Sequence, residues 1–213
     1  MTSYVALLAD AVASRDLPRA RRARLQADLR AQLPRLNRYR PWRPVVAARF
    51  AVTLGDELQV LLTGTPPVWD IAHAIRRLFP EVDWTVACGR GPLTTPLHDG
   101  ATAPELDGPC FHEARTALQR AKADRLLFAF GGFDDPRLDG AAAYYSALYW
   151  SWTARQRREA TRWRWTVPAG RSLTPEARAK IHPSAISHLR RRMAWPLVEA
   201  GDRMFRALLE DAR

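Results

Sequence analysis

Two aspartates are the first residues here that could do chemistry. Asp10 ends an apolar run over residues 3–9, and Asp56 sits in a Gly55-Asp56 turn, followed directly by Glu57. Carboxylates at a strand end and at a hairpin tip can share a hard cation. Mg2+ takes oxygen ligands and often completes its shell with phosphate oxygens. Two such ions can activate phosphoryl chemistry. Both aspartates also have plainer duties open to them, as a turn residue and as a strand-end cap. Three further residues could touch a nucleotide: Arg15 after the first strand, Gly89 in Cys88-Gly89-Arg90-Gly91, where backbone could approach a ligand, and His112 on a helix. For His112 a satisfied surface or core histidine is the competing assignment.

The second chemistry is electrostatic. The chain carries a net charge of +11. Residues 151–195 hold eleven Arg or Lys against only Glu159 and Glu176, a local net charge of +9. Arginine outnumbers lysine throughout, as a GC-rich genome would produce, but such a bias does not remove acids from one segment. A stretch like this offers many phosphate contacts to a polyanion. Within it, Thr174 and Pro175 suit the N-cap and first position of a short helix reaching Lys180. Ile181-His182-Pro183 makes a turn, and Ser184 caps a second short helix through Met193. Two short helices and a tight turn are what a helix-turn-helix needs to lay its second helix in a major groove. Ser184, Ser187, His188, Arg190, Arg191 and Arg192 face outward on that helix. The early ones are placed for base edges and the arginines for phosphates. The turn carries Pro183 where such turns often carry glycine, and a helical hairpin with a solvated basic face is the alternative.

These residues need elements to position them. Residues 3–9 predict a central strand. Residues 17–37 predict a helix, with Leu25, Leu29, Leu33 and Leu36 on one stripe, and Pro34 should end or kink it near Leu33. Residues 45–54 and 58–62 predict a hairpin about Gly55-Asp56. If the first strand lies between the hairpin strands, Asp10 and Asp56 reach one side of the sheet. A helix at 66–79, a strand at 82–88, a loop at 89–107, a helix at 108–122 and a strand at 125–130 follow. The order β-α-β-β-α-β, then helix and strand, predicts an α+β fold: a ferredoxin-like split βαβ domain over residues 1–133. Residues 131–140 are rich in Gly and Asp and predict a linker. Residues 140–213 predict an all-α helix-turn-helix domain, with one long helix over 141–163 and a last helix from Pro196.

Composition narrows the class. A chain of 213 residues that is 47% hydrophobic can bury a sizeable core. No apolar run approaches the ~18 residues of a membrane span, which predicts no membrane insertion. The first residues lack a basic n-region and reach Asp10 too soon for a secretory signal, so a cytoplasmic protein is expected. Cys88 and Cys110 have neither metal-ligand spacing nor a CxxC pattern and read as buried thiols.

Several segments together resemble the bacterial SatD family. They are Leu7-Leu8-Ala9-Asp10 with Ser14-Arg15, Thr53-Leu54-Gly55-Asp56-Glu57-Leu58-Gln59, Gly108-Pro109-Cys110-Phe111-His112-Glu113-Ala114-Arg115, Trp152-Thr153-Ala154-Arg155-Gln156 and Pro183-Ser184-Ala185-Ile186-Ser187. The resemblance implies a two-part regulator, with a nucleotidyl-cyclase-like N-terminal domain and a C-terminal DNA-binding helix-turn-helix. It implies Asp10 and Asp56 as metal ligands, because cyclases of that type place carboxylates at a first-strand end and a hairpin turn. It also implies a homodimer, DNA as a partner and a nucleotide as ligand. Such cyclases carry an Asn and, four residues later, an Arg on the third helix; here those places fall on His112 and Thr116. Losing an arginine that stabilises transition-state charge costs orders of magnitude in rate. The expectation is therefore a DNA-binding regulator with a non-catalytic sensing or dimerisation domain. The alternative is a Mg2+-dependent nucleotidyl cyclase or transferase.

Overall fold

The computed structural model describes residues 2–53, 55–164 and 183–212. Its fold is α+β. Five strands, β1 (Tyr4–Ala11), β2 (Val46–Val52), β3 (Glu57–Leu62), β4 (Trp84–Gly91) and β5 (Phe128–Gly131), form one sheet in the order β2-β3-β1-β4-β5. β1 runs antiparallel to both β3 and β4, β2 antiparallel to β3, and β5 parallel to β4. The first strand therefore sits beside the hairpin, between β3 and β4, and not between the hairpin strands. Asp10 still reaches the hairpin tip, because its register partner on β3 is Glu57.

β1 and β4 are apolar on both faces because both faces are covered. Leu8, Ala6, Leu61, Ala87 and Ala129 point to one side and meet α3 (Pro109–Asp124) through Cys110, Ala114, Leu118 and Ala121. Val5, Leu7, Val60, Val86, Phe128 and Phe130 point to the other. There they pack with α1 (Arg19–Arg38), α2 (Val68–Leu78), α4 (Pro136–Ser151) and α7 (Trp195–Asp211). Two more helices stand among the described residues, α5 (Ala154–Arg164) and α6 (Pro183–Arg192). Leu138, Tyr145, Trp152, Trp195, Phe205 and Leu209 belong to the same cluster as Leu7 and Trp69. A division between residues 133 and 140 would cut this continuous core, and Asp135 there caps α4 by accepting from the Arg137 backbone N–H.

Three expectations change. α1 continues through Pro34 to Arg38. Its last turn is held from outside: Asn37 accepts from the Phe50 backbone at 2.8 Å and donates to the Phe50 carbonyl at 3.0 Å, and the Trp42 indole donates to Leu36 O. These tertiary bonds compensate the hydrogen bond that proline removes. The helix expected over 141–163 is two helices. Chain direction changes at buried Trp152, and Thr153 and Gln156 then cap α5 reciprocally, Gln156 Oε1 accepting from Thr153 N at 2.8 Å and Thr153 Oγ1 from Gln156 N at 3.3 Å. Finally, Gly89 and Gly91 lie within β4 and not in the loop after it.

Candidate functional site

Asp10, Asp56 and Glu57 meet at one end of the sheet, beneath α3. Asp10, next to last on β1, lies on the α3 face, two residues beyond Leu8, and opposite Glu57 and Thr85 on its two neighbours. The side chains alternate along β3 in the same way, so Glu57, Gln59 and Leu61 share that face. Gly55, at φ 81°, turns the hairpin and brings Asp56 alongside. The sequence thus places its two candidate ligands at one end of the sheet.

Both flanking carboxylates already have cations. Lys122 Nζ lies 2.8 Å from Asp10 Oδ2. Arg115 donates through both terminal nitrogens to the two oxygens of Glu57, Nη2 to Oε1 at 2.9 Å. Gln59 and Thr53 add bonds to Glu57 Oε1 at 2.7 and 3.0 Å. Burial pushes the Asp10 carboxyl above its ordinary value of 3.8; Lys122 works against that rise, and Asp56 and Glu57 add to it. Burial alone would raise Glu57 as well, but the bonds from Arg115, Gln59 and Thr53 outweigh it and hold Glu57 below its ordinary 4.5. The two carboxylates therefore act oppositely on stability. The contribution of Glu57 is present above about pH 4.5 and fades as pH falls through its lowered value. That of Asp10 is full below about pH 3.8 and fades as pH rises through its raised value.

Mg2+ must be weighed against these bonds. Asp56 Oδ2 is buried without a hydrogen-bond partner among the described residues, which by itself would suit a cation. Asp10, however, already pairs with the Lys122 ammonium. Among the described residues no three His, Cys, Asp or Glu side chains are grouped to hold a metal. As the side chains stand, the donor set does not fit a resident Mg2+.

The other nucleotide candidates do not join this cluster. Gly89 pairs with Ala6 on β1, four residues from Asp10, or roughly 13 Å along the strand at strand rise. It is buried beneath α3. A Cβ there would lie 2.1 Å from both Ala114 N and Cys110 O, so its bareness serves helix packing. His112 is exposed on the first turns of α3, with Nε2 3.0 Å from Asp107 Oδ1. Arg15 is exposed in the 3-10 turn Ser14–Asp16, where its carbonyl accepts from Arg22. Three members of the network, Glu57, Arg115 and Lys122, were not among the candidates. Glu57, Gln59 and Arg115 lie in the two segments that carry the family resemblance, and Lys122 is one of only two lysines in the sequence, a signal in an arginine-rich chain.

At the other end of the chain, α6 presents Ser187, His188, Arg190, Arg191 and Arg192 to solvent and turns Ile186, Leu189 and Met193 inward. Arg190 lies 3.4 Å from Glu199 on α7, and its guanidinium stands over the Trp163 ring. Ser184 falls in α6 by its backbone. The expected first helix, residues 174–180, and the turn at Ile181-His182 lie outside the described residues.

The fold and this site define an α+β protein whose five-stranded sheet ends in a cluster of carboxylates paired with its own cations. The chain belongs to the SatD family, whose model matches residues 4–125. That span runs from β1 through α3 and takes in Asp10, Asp56, Glu57, Arg115 and Lys122. The comparison with curated proteins returns no match. Among the described residues no helix is long and apolar enough to cross a membrane.

Proposed function

We propose that this protein is a DNA-binding transcriptional regulator whose N-terminal part is a ferredoxin-like, cyclase-related domain kept for sensing or dimerisation and not for catalysis. The carrying observation is the exposed face of α6. It holds Ser187, His188 and three consecutive arginines, with no acidic residue on the helix. Its apolar side faces α7, so Ser187, His188, Arg191 and Arg192 stand outward, in position to enter a groove. The strand order and directions support the ferredoxin-like assignment: a βαββαβ chain with β1 and β3 central and every neighbouring pair antiparallel, extended by α3 and β5.

The carboxylate cluster supports the non-catalytic half of the proposal. A phosphoryl-transfer site needs a cation shared between carboxylates and substrate oxygens. Here Lys122 pairs with Asp10 within the protein, and Arg115 points at Glu57 instead of standing free to stabilise developing charge. A homodimer would set two copies of α6 on a palindromic site.

Mobility shifts with genomic fragments test the proposal. The chain should retard a subset of fragments. Replacing Arg190, Arg191 and Arg192 together by alanine should weaken binding roughly tenfold or more and lower the slope of log affinity against log salt by about three. Unchanged affinity in that variant would remove α6 as the reading helix. The alternative enzyme is tested separately, by incubating the chain with ATP or GTP and Mg2+ or Mn2+. Cyclic product that is lost in Asp56→Asn would overturn the non-catalytic assignment.

A further inference from the structure

On the opposite side of the sheet from α3 lies a cavity of about 760 Å³, which the proposed regulator does not yet use. It opens between the turn after β1, the end of α2, the loop into β4, and α5. Five arginines line it against three acids. Arg76 matters most. The residue is 3% exposed and no carboxylate pairs with it among the described residues. Its Nη2 donates to the Trp84 and Leu127 carbonyls at 3.0 and 3.3 Å, while Nε and Nη1 are buried with no acceptor. The rings of Phe128, Tyr145 and Tyr149 surround the guanidinium at 4.9 to 5.9 Å.

A buried guanidinium without an anion is a costly arrangement, and aromatic faces offset only part of the cost. A second guanidinium, that of Arg157, converges on the same Tyr149 ring at 5.6 Å. Like charges are thus brought together at one ring. Asp83, one of the lining acids, is already shared between the Tyr149 hydroxyl at 2.7 Å and Arg157 at 3.6 Å. Arg158 stands exposed on the next position of α5. An anion with several acceptor oxygens would match the donors of this wall.

We propose that this cavity binds a phosphorylated small molecule of about mononucleotide size. Arginine clusters favour phosphate because each guanidinium offers several fixed donors to its oxygens. The volume falls within the roughly 300–1,000 Å³ of small-molecule sites and exceeds the needs of a bare phosphate ion. Concavity favours such a ligand over the backbone of a DNA duplex. The inference rests on the sensing role proposed above and supplies its ligand class. It also gives α5 a part, since this helix forms one wall of the cavity and is the last described helix before α6.

Thermal melting of the full chain at fixed ionic strength tests this, with AMP, inorganic phosphate, adenosine and a short DNA duplex as probes. AMP should raise Tm by roughly 5–10 °C at one hundred times its Kd, and adenosine should not. Arg76→Met should abolish the shift. Should that variant fail to fold, Arg158→Ala, on an exposed helix face, decides by reducing it. The proposal is overturned if AMP gives no shift, if adenosine matches it, or if Arg158→Ala leaves it whole. It is equally overturned if inorganic phosphate reproduces it in full, or if only duplex DNA gives a shift that depends on Arg76. The triple alanine variant of α6 should keep the AMP shift, so failure of the cavity and failure of DNA binding are read independently.

Discussion

Asp202→Ala should destabilise the protein by about 3–5 kcal/mol, measured by urea unfolding, the range for removing one partner of a buried ion pair. Arg164 ends α5 with its side chain 2% exposed, and Asp202 on α7 is 9% exposed. The two meet through a pair of bonds, Nε to Oδ2 at 2.6 Å and Nη2 to Oδ1 at 2.9 Å. Around the guanidinium stand the rings of Trp69, Tyr145, Trp152 and Trp195, at 5.1 to 5.8 Å. Removing the carboxylate would strand a cation among aromatic side chains. The pair itself need not be net stabilising, since desolvation opposes its Coulomb gain. A double variant, Arg164→Met with Asp202→Leu, should therefore recover most of the loss. An Asp202→Ala cost below about 1 kcal/mol would mean that water reaches Arg164, contrary to its burial.

That pair shows why part of the fold was legible in the sequence and part was not. β1, α2 and α3 announce themselves, because each has a continuous or one-sided apolar pattern, and Pro66, Pro67 and Pro80 bound α2 while Gly108 and Pro109 open α3. The break between α4 and α5 was also written locally, since Thr153-Ala154-Arg155-Gln156 has the spacing of a capping box. It is hidden because no Gly or Pro falls between residues 141 and 164 to mark it. The passage of α1 through Pro34 could not be read from nearby residues. It depends on Phe50, thirteen positions from Asn37, and on Trp42. The Arg164–Asp202 pair is similarly non-local, joining two residues 38 positions apart.

The candidate site divides in the same way. Asp10 and Asp56 could be brought together on paper, because a strand end and a hairpin tip are local features and few sheet orders separate them. Their cations could not. Lys122 and Arg115 reach Asp10 and Glu57 only because β4, α3 and β5 form a crossover that lays α3 along the sheet above β1. A helix placed one turn differently would leave the carboxylates open to a metal. The difference between a metal site and a self-compensated cluster thus lies in the seating of α3, which the spacing of the acids does not encode.

Gly89 sets that seating, and Gly89→Ala should cost stability at the upper end of the ~1–3 kcal/mol typical of overpacking, or beyond it. The added methyl group would stand 2.1 Å from Ala114 N and Cys110 O and 2.7 Å from Ala114 Cα. All three are backbone or near-backbone atoms, so no side-chain rotation relieves the clash and α3 must rise from the sheet. Gly131 also lies against α3, 2.5 Å from Glu113 O by the same measure, so the helix cannot simply pivot about β5. Lifting α3 would draw Arg115 and Lys122 away from Glu57 and Asp10. The lowered pKa of Glu57 should then return toward its ordinary 4.5, a change that carboxyl NMR titration would register. Gly140→Ala is the control. It is exposed in α4 with nothing within 4 Å of its would-be Cβ, so alanine there should stabilise the chain by about 0.5–1 kcal/mol through helix propensity. Equal melting temperatures for the two variants would show that the close seating of α3, and with it the compensated cluster, is wrong.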